Sequence, residues 1–247
     1  MPVLNTAAKI LFVCVLVLFP ARWNIYSQSN GDEKKFYDPA KKFSVTAYGM
    51  FISSAVVLNN INSKDPIERD ISEELDGTYG YGLEFNYEPR LFNLDLVFYL
   101  STEYIKITQD VPYRVDNGMG ITTYKTTERF ELIPLEFGIK WPLPVSTDNF
   151  KIYIGGGSGF YFGKQKRVIL NLESQSIENK PGFSLNILAG VEYYIARNLS
   201  ANLEFKFREA SFDAQGKYNK RTFLPEPFYT RFLADGTRLS IGFKYHF

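Results

Sequence analysis

Few residues in this chain have the chemistry for catalysis. It holds one histidine, His246, and one cysteine, Cys14, so neither a Cys/His metal spacing nor a pair of imidazoles exists. A serine–histidine relay would have to run through His246. Carboxylates are more plentiful: Glu84, Glu103, Glu136, Glu192 and Glu204 recur on polar positions, where two close together can share acid and base roles. Lys140, Lys206, Arg208 and Lys244 sit on the same kind of position and give a simpler account, mutual neutralisation in a narrow interior; gating of a narrow pathway is the alternative. The run Gly155-Gly156-Gly157 lacks the Gly-Lys-Ser/Thr ending of a phosphate loop and reads as close packing. Asn198-Leu199-Ser200 matches a glycosylation acceptor by chance. No catalytic, cofactor or metal residue is assigned, and no cofactor is expected.

The elements that position these groups follow period two. Strands are predicted over 43–57, 79–88, 94–108, 124–141, 150–163, 183–196, 199–212 and 237–247. In the last, Leu239, Ile241, Phe243, Tyr245 and Phe247 share one face, while Ser240, Gly242, Lys244 and His246 share the other. The pattern repeats with Leu199, Ala201, Leu203, Phe205 and Phe207 against Asn202, Glu204, Lys206 and Arg208, and with Ile133, Leu135, Phe137, Ile139 and Trp141 against Glu136, Gly138 and Lys140. Leu94, Leu96, Phe98 and Leu100 oppose Asp95, Tyr99 and Glu103; Tyr81, Leu83, Phe85 and Tyr87 oppose Glu84 and Asn86. Pro134 cannot donate to a ladder and predicts a bulge.

Composition agrees with an all-β reading. Of 247 residues, 45% are hydrophobic and 17% aromatic, with 22 Phe and 17 Tyr, types that favour half-buried pleated surfaces. Charges nearly cancel, 28 basic against 27 acidic, which argues against nucleic acid as a partner. Lys9 followed by the apolar run 10–19 is too short to span a bilayer as a helix and fits a signal peptide, cleaved near Ser27. Val13 before Cys14 and the apolar residues after it exclude a lipoprotein cysteine. Removing 1–27 takes away Lys9 and Arg22 and no acid, leaving 26 bases against 27 acids and no thiol. The expected organisation is signal peptide 1–27, a short periplasmic segment 28–42, and a barrel over 43–247.

Connection lengths alternate. Joints 89–93, 142–149 and 197–198 are short, whereas 58–78, 109–123, 164–182 and 213–236 are long. Short turns on one side, long loops on the other and an even strand number describe an eight-stranded antiparallel up-and-down transmembrane β-barrel of the bacterial outer membrane. The inner face carries Gly80, Gly82, Gly138, Gly155, Gly157, Gly159, Gly190 and Gly242 beside long charged residues, as a side-chain-filled lumen requires. Glu84, Glu103, Glu136, Lys140, Glu192, Glu204, Lys206, Arg208 and Lys244 form the expected lumenal charge network. Tyr81, Tyr87, Trp141, Phe162, Tyr193 and Tyr245 suit interfacial girdles. The first long loop is acidic, with Asp65, Glu68, Asp70, Glu73, Glu74 and Asp76 against Lys64 and Arg69. The third, 164–181, is basic, with Lys164, Lys166, Arg167 and Lys180 against Glu173 and Glu178.

The terminal alternation Leu239, Ile241, Phe243, Tyr245, Phe247 resembles the signal by which outer-membrane barrels are recognised for assembly. More narrowly, Ile133-Pro134-Leu135 leading to Lys140-Trp141, followed by 152–162 (IYIGGGSGFYF), resembles the small outer membrane protein β-barrel domain family of Bacteroidetes-type bacteria, which includes PorT-like proteins. The resemblance covers roughly 43–247 and implies architecture rather than activity. Unlike in full-length OmpA-type proteins, no peptidoglycan-binding domain is expected after the barrel.

The expectation is a non-enzymatic barrel acting in envelope structure or partner binding through its extracellular loops. Its partners would be outer-membrane lipid, the barrel assembly machinery and an envelope or extracellular protein. The alternatives are a narrow channel or small-hydrophobe transporter resembling the OmpW type, and a component of a secretion apparatus.

Overall fold

A strand that faces lipid has no water to satisfy its backbone, so its ladders must close on themselves. The computed structural model describes residues 41–59, 61–64, 72–91, 94–116, 121–147, 149–169, 172–219 and 227–247. The expected signal peptide and nearly all of the segment 28–42 lie outside them. Eight long strands make one ring: β1 (Phe43–Asn59), β2 (Ser72–Tyr87), β3 (Val97–Asp116), β4 (Ile121–Pro142), β5 (Phe150–Ile169), β6 (Leu172–Ala196), β7 (Leu199–Tyr218) and β8 (Phe228–His246). Each pairs antiparallel with its chain neighbours, and β1 with β8 closes the barrel. Phe43 and Phe247 exchange backbone hydrogen bonds at that seam, Phe247 N to Phe43 O at 3.0 Å and Phe43 N to Phe247 O at 3.4 Å.

The strands are longer than the alternation predicts, because the segments expected as loops are largely strand. β3 runs to Asp116, β4 starts at Ile121, β5 continues to Ile169, β6 starts at Leu172, β7 ends at Tyr218 and β8 starts at Phe228. The loop reading failed because the apolar row passes from the outer to the inner face along these stretches, as at Val111, Phe228 and Phe232, and because parts such as 164–167 are polar on both faces, while the ladders simply continue. At its other end β3 begins later than expected: Arg90–Leu91 and Leu94–Asp95 form a separate two-residue ladder, and Asp95 is exposed. Pro134 makes no bulge. The β3/β4 register is the same on both sides of it, Thr102 with Leu135 and Ile105 with Leu132; pairing lapses only across Glu103–Tyr104 and Ile133–Pro134, where the proline has no N–H to give.

Outward side chains divide sharply by height. On the half nearest the short turns they are apolar: Phe98 and Leu100 on β3, Ile133 to Trp141 on β4, Leu203 and Phe205 on β7, Leu239 to Phe247 on β8. Beyond Phe51, Tyr79, Ile133, Phe162, Phe183 and Leu239 the outer face becomes Ser, Thr, Lys, Arg, Asp and Glu, with few apolar side chains such as Val168 and Ile177. A tilted strand crosses a bilayer in about 9–11 residues, so strands of 16 to 25 residues span the membrane with one half and stand clear of it with the other. In such barrels the short turns face the periplasm.

Glycines let aromatic rings lie flat inside so narrow a ring. Gly138 and Gly157 are register partners, and a Cβ on Gly157 would meet the Phe137 carbonyl at 2.2 Å and the Tyr99 hydroxyl at 2.6 Å. Tyr99 therefore occupies space that any other residue pair would fill. On the lipid face, by contrast, a Cβ on Gly49 meets nothing within 4 Å. Gly157→Val is expected to lower barrel stability by about 1–3 kcal/mol, whereas Gly49→Val changes it by less than about 0.5 kcal/mol. The temperature at which the fast-migrating folded band disappears on unboiled gels checks both.

Candidate functional site: the lumen

Alternation turns every second side chain of each strand into the lumen, and an eight-stranded ring leaves room for side chains only. All nine charged residues named from the sequence are there, each 4% exposed or less. They separate into two groups by height.

The central group sets four carboxylates, Glu84, Glu103, Glu136 and Glu204, against four cations, Lys140, Lys206, Arg208 and Arg238. Lys140 Nζ bridges Glu84 at 2.6 Å and Glu204 at 2.7 Å. Lys206 holds Glu136 at 2.6 Å. Arg208 spans Glu136 and Glu103, both at 2.7 Å, and Arg238 joins Glu103 to Glu204. The network thus closes on itself across β2, β3, β4, β7 and β8. Tyrosines fill the remaining acceptor positions: Tyr161 donates to Glu136 at 2.8 Å, Tyr153 to Glu204 at 3.1 Å and Tyr48 to Glu103 at 3.2 Å. The Lys140 and Lys206 ammonium groups also lie 5.2 and 5.4 Å from the centre of the Tyr99 ring. The sequence reading missed Arg238, although it continues the inward row Ser240, Gly242, Lys244, His246 by one step.

The second group lies at the periplasmic mouth. Lys244 Nζ pairs with Glu192 at 2.6 Å. Ser200 Oγ donates to Glu192 Oε1 at 2.7 Å, and His246 Nε2 lies 3.0 Å from both Ser200 Oγ and Glu192 Oε1. Serine, histidine and carboxylate are thus together, but not as a relay. A relay puts the acid on one ring nitrogen and the serine on the other; here both meet Nε2, and the single serine proton is given to the carboxylate. The ring stacks on Tyr194, centroids 5.1 Å apart.

Above the central group the lumen is not polar, which corrects the expectation of a polar interior throughout. Met50, Ile52, Val57, Leu75, Ile105, Ile107, Phe130, Leu132, Phe212 and Phe232 form an apolar core inside the extension. Higher still, a second polar layer that the sequence reading did not identify joins Arg167 to Glu128, with Gln165 donating to Glu128 at 3.0 Å and Arg167 to Asn59 at 2.8 Å. Arg167 belongs to the segment 164–181 that the sequence predicts as a loop, and the structure places it in β5. Among the described residues no cluster of His, Cys, Asp and Glu fits a metal ion.

No family model matches the sequence, and no curated protein matches it. Among solved structures the chain is similar to the outer membrane protein OprG of Pseudomonas aeruginosa, with a TM-score of 0.57 at 14% identity over 84% of this chain and 96% of that one. It is also similar to Neisserial surface protein A (0.46, 15%, 83% and 97%) and to the outer membrane protease OmpT of Escherichia coli (0.48, 8%, 85% and 97%). The OprG likeness shows the fold, that of the small outer-membrane β-barrels, to which the broader sequence resemblance pointed.

Removing one member of a buried ion network strands its partners. Arg238→Met, which leaves Glu103 and Glu204 short of a cation, is expected to cost about 3–5 kcal/mol. The double change Lys244→Met with Glu192→Met removes both charges and is expected to be milder than Lys244→Met alone. Urea unfolding midpoints in phospholipid vesicles compare the three.

Proposed function

We propose that this chain is a non-enzymatic, electrically closed barrel of the bacterial outer membrane that works through the strand extensions it raises above the lipid. The observation that carries the reading is the lumen, where a balanced charge network and an apolar core occupy successive levels of the same narrow ring. The one serine–histidine–carboxylate cluster supports a structural role, since its proton pattern holds the strands together rather than activating Ser200. The extensions are suited to binding because continuous ladders fix their outer side chains in place. On this reading Leu239, Ile241, Phe243, Tyr245 and Phe247 form the face offered to the assembly machinery, as all five point outward.

In a planar bilayer the refolded protein is expected to be silent, and reproducible discrete openings would overturn the closed-lumen reading. On intact cells, a photo-crosslinking side chain placed at Lys125 or Lys217 is expected to give a discrete protein adduct, with none from lipid-facing Ile139. Absence of adducts from both extension sites would reject partner binding there.

A second reading, sideways passage of a small apolar molecule, is favoured by one feature. The β2/β3 ladder ends at Gly80 with Ile105, although both strands continue. Beyond it two side-chain links join the edges: Asp76 N donates to Gln109 Oε1 at 2.7 Å and Thr78 Oγ1 to the Lys106 carbonyl at 3.0 Å. Leu75, Ile107 and Val111 of the apolar core lie on these strands. A disulfide between Tyr79→Cys and Lys106→Cys, one step beyond the last register pair, is expected on this reading to block uptake of an apolar dye until reduced. Uptake indifferent to the crosslink rejects it.

A further inference from the structure

Just above the apolar belt the barrel wall is electrically lopsided. On β3, β4 and β5 the first outward positions past Tyr104, Ile133 and Phe162 are Lys106 and Thr108, Glu131 and Arg129, and Lys164 and Lys166. The ladders place them in two rows: Lys106 beside Glu131 beside Lys164, and Thr108 beside Arg129 beside Lys166. Cross-strand neighbours lie about 5 Å apart, so four cations share one small area. Lys166 is paired with Glu173 at 2.9 Å, and Glu131 takes a hydrogen bond from Tyr104. Among the described residues, Lys106, Arg129 and Lys164 are all exposed and none has a carboxylate within ion-pair distance.

The opposite wall differs at the same height. Past Phe51, Tyr79, Phe207 and Leu239 come Ser53 on β1, Gly77, Asp76 and Glu74 on β2, Glu209 and Ser211 on β7, and Thr237 on β8. The next cation there, Arg231, is already held by Asp213 at 2.6 and 2.9 Å.

We propose that the β3–β5 wall binds the phosphate groups of an outer-leaflet lipid, with Lys106, Arg129 and Lys164 as the phosphate contacts and Leu135, Ile133, Phe160 and Phe162 against its acyl chains. The charge sign selects an anion, and continuity with the belt selects a lipid: on β3 and β5 the cations begin at the next outward position after the last apolar side chain, and on β4 one position further, past Glu131, the height at which headgroups sit. Lysine and arginine reach across this boundary by laying their methylene stems on apolar neighbours. An acidic protein would need its cations further up the extension, clear of the headgroups, where Lys125 is already paired with Asp110 at 2.8 Å. This site does not depend on whether the lumen conducts or the tips bind a partner.

The test uses full-length mature protein in detergent, with native mass spectrometry counting retained diphosphorylated lipid A against its dephosphorylated form and phosphatidylcholine. Wild type is expected to retain the diphosphorylated lipid at least about ten-fold better than either. The triple change Lys106→Gln, Arg129→Gln, Lys164→Gln should abolish the difference, whereas Arg231→Gln on the far wall keeps it. Unboiled gel mobility verifies that each variant is folded. Undiminished selectivity in the triple variant overturns the proposal. So does equal displacement by inorganic phosphate, which would mean that the belt contributes nothing. Loss of a protein crosslink with lipid retention unchanged would assign the patch to an acidic protein instead.

Discussion

The ring is only eight strands wide, and every second side chain of its membrane-spanning half must fit inside it. That constraint governs the rest of the structure. A charge in so narrow a space is unfavourable unless it meets an opposite charge at hydrogen-bond distance. The central group satisfies this by balance, four carboxylates to four cations drawn from five strands. Because Lys140, Arg208 and Arg238 each touch two carboxylates, the network ties distant staves of the barrel together. Tyr99, Tyr153 and Tyr161 fill the space between ions, and glycines on the wall make room for the Tyr99 and Tyr153 rings.

Zoning along the axis follows from what lies outside. Where lipid surrounds the barrel, apolar residues are needed on the outer face, so the inner face is left for polar ones. Where water surrounds it, the outer face is polar and the interior is free to become an ordinary hydrophobic core, as Phe130, Phe212 and Phe232 show by packing together. The protein is thus a membrane barrel continued by a water-exposed one, with the polarity of its interior reversed at the membrane boundary.

Two features break the symmetry of the ring at that boundary. One is the β2/β3 edge, where backbone pairing gives way to side-chain links. The other is the concentration of cations on β3–β5, facing an acidic or neutral arc on β7, β8, β1 and β2. They adjoin, since β3 borders both, so the outer leaflet meets a wall with one distinct side.

The alternation of the amino-acid sequence and its turn lengths determined the strand type, the number eight and the up-and-down order, and the glycines beside long charged residues on the polar row marked that row as the inner one. Each of these depends on local properties. The inward place of Glu136, Lys140, Glu204 and Arg208 was legible for the same reason. Alternation failed in the upper parts of β2, β3 and β5 to β8, where the apolar row passes from the outer to the inner face and polar residues enter both rows, so these read as loops, and neither Arg167 nor Glu128 is legible as lumenal. Which charges meet was decided by the tertiary structure alone. Arg238 reaches Glu103 from three strands away around the ring and 135 residues away in sequence, and Ser200, His246 and Glu192 come together at the mouth in a proton pattern that no spacing encodes. The mouth cluster follows from the registers of the β6/β7 and β7/β8 ladders, whereas Arg238 reaches Glu103 only once β1 meets β8, because the register between the first and last strands is a property of the whole ring.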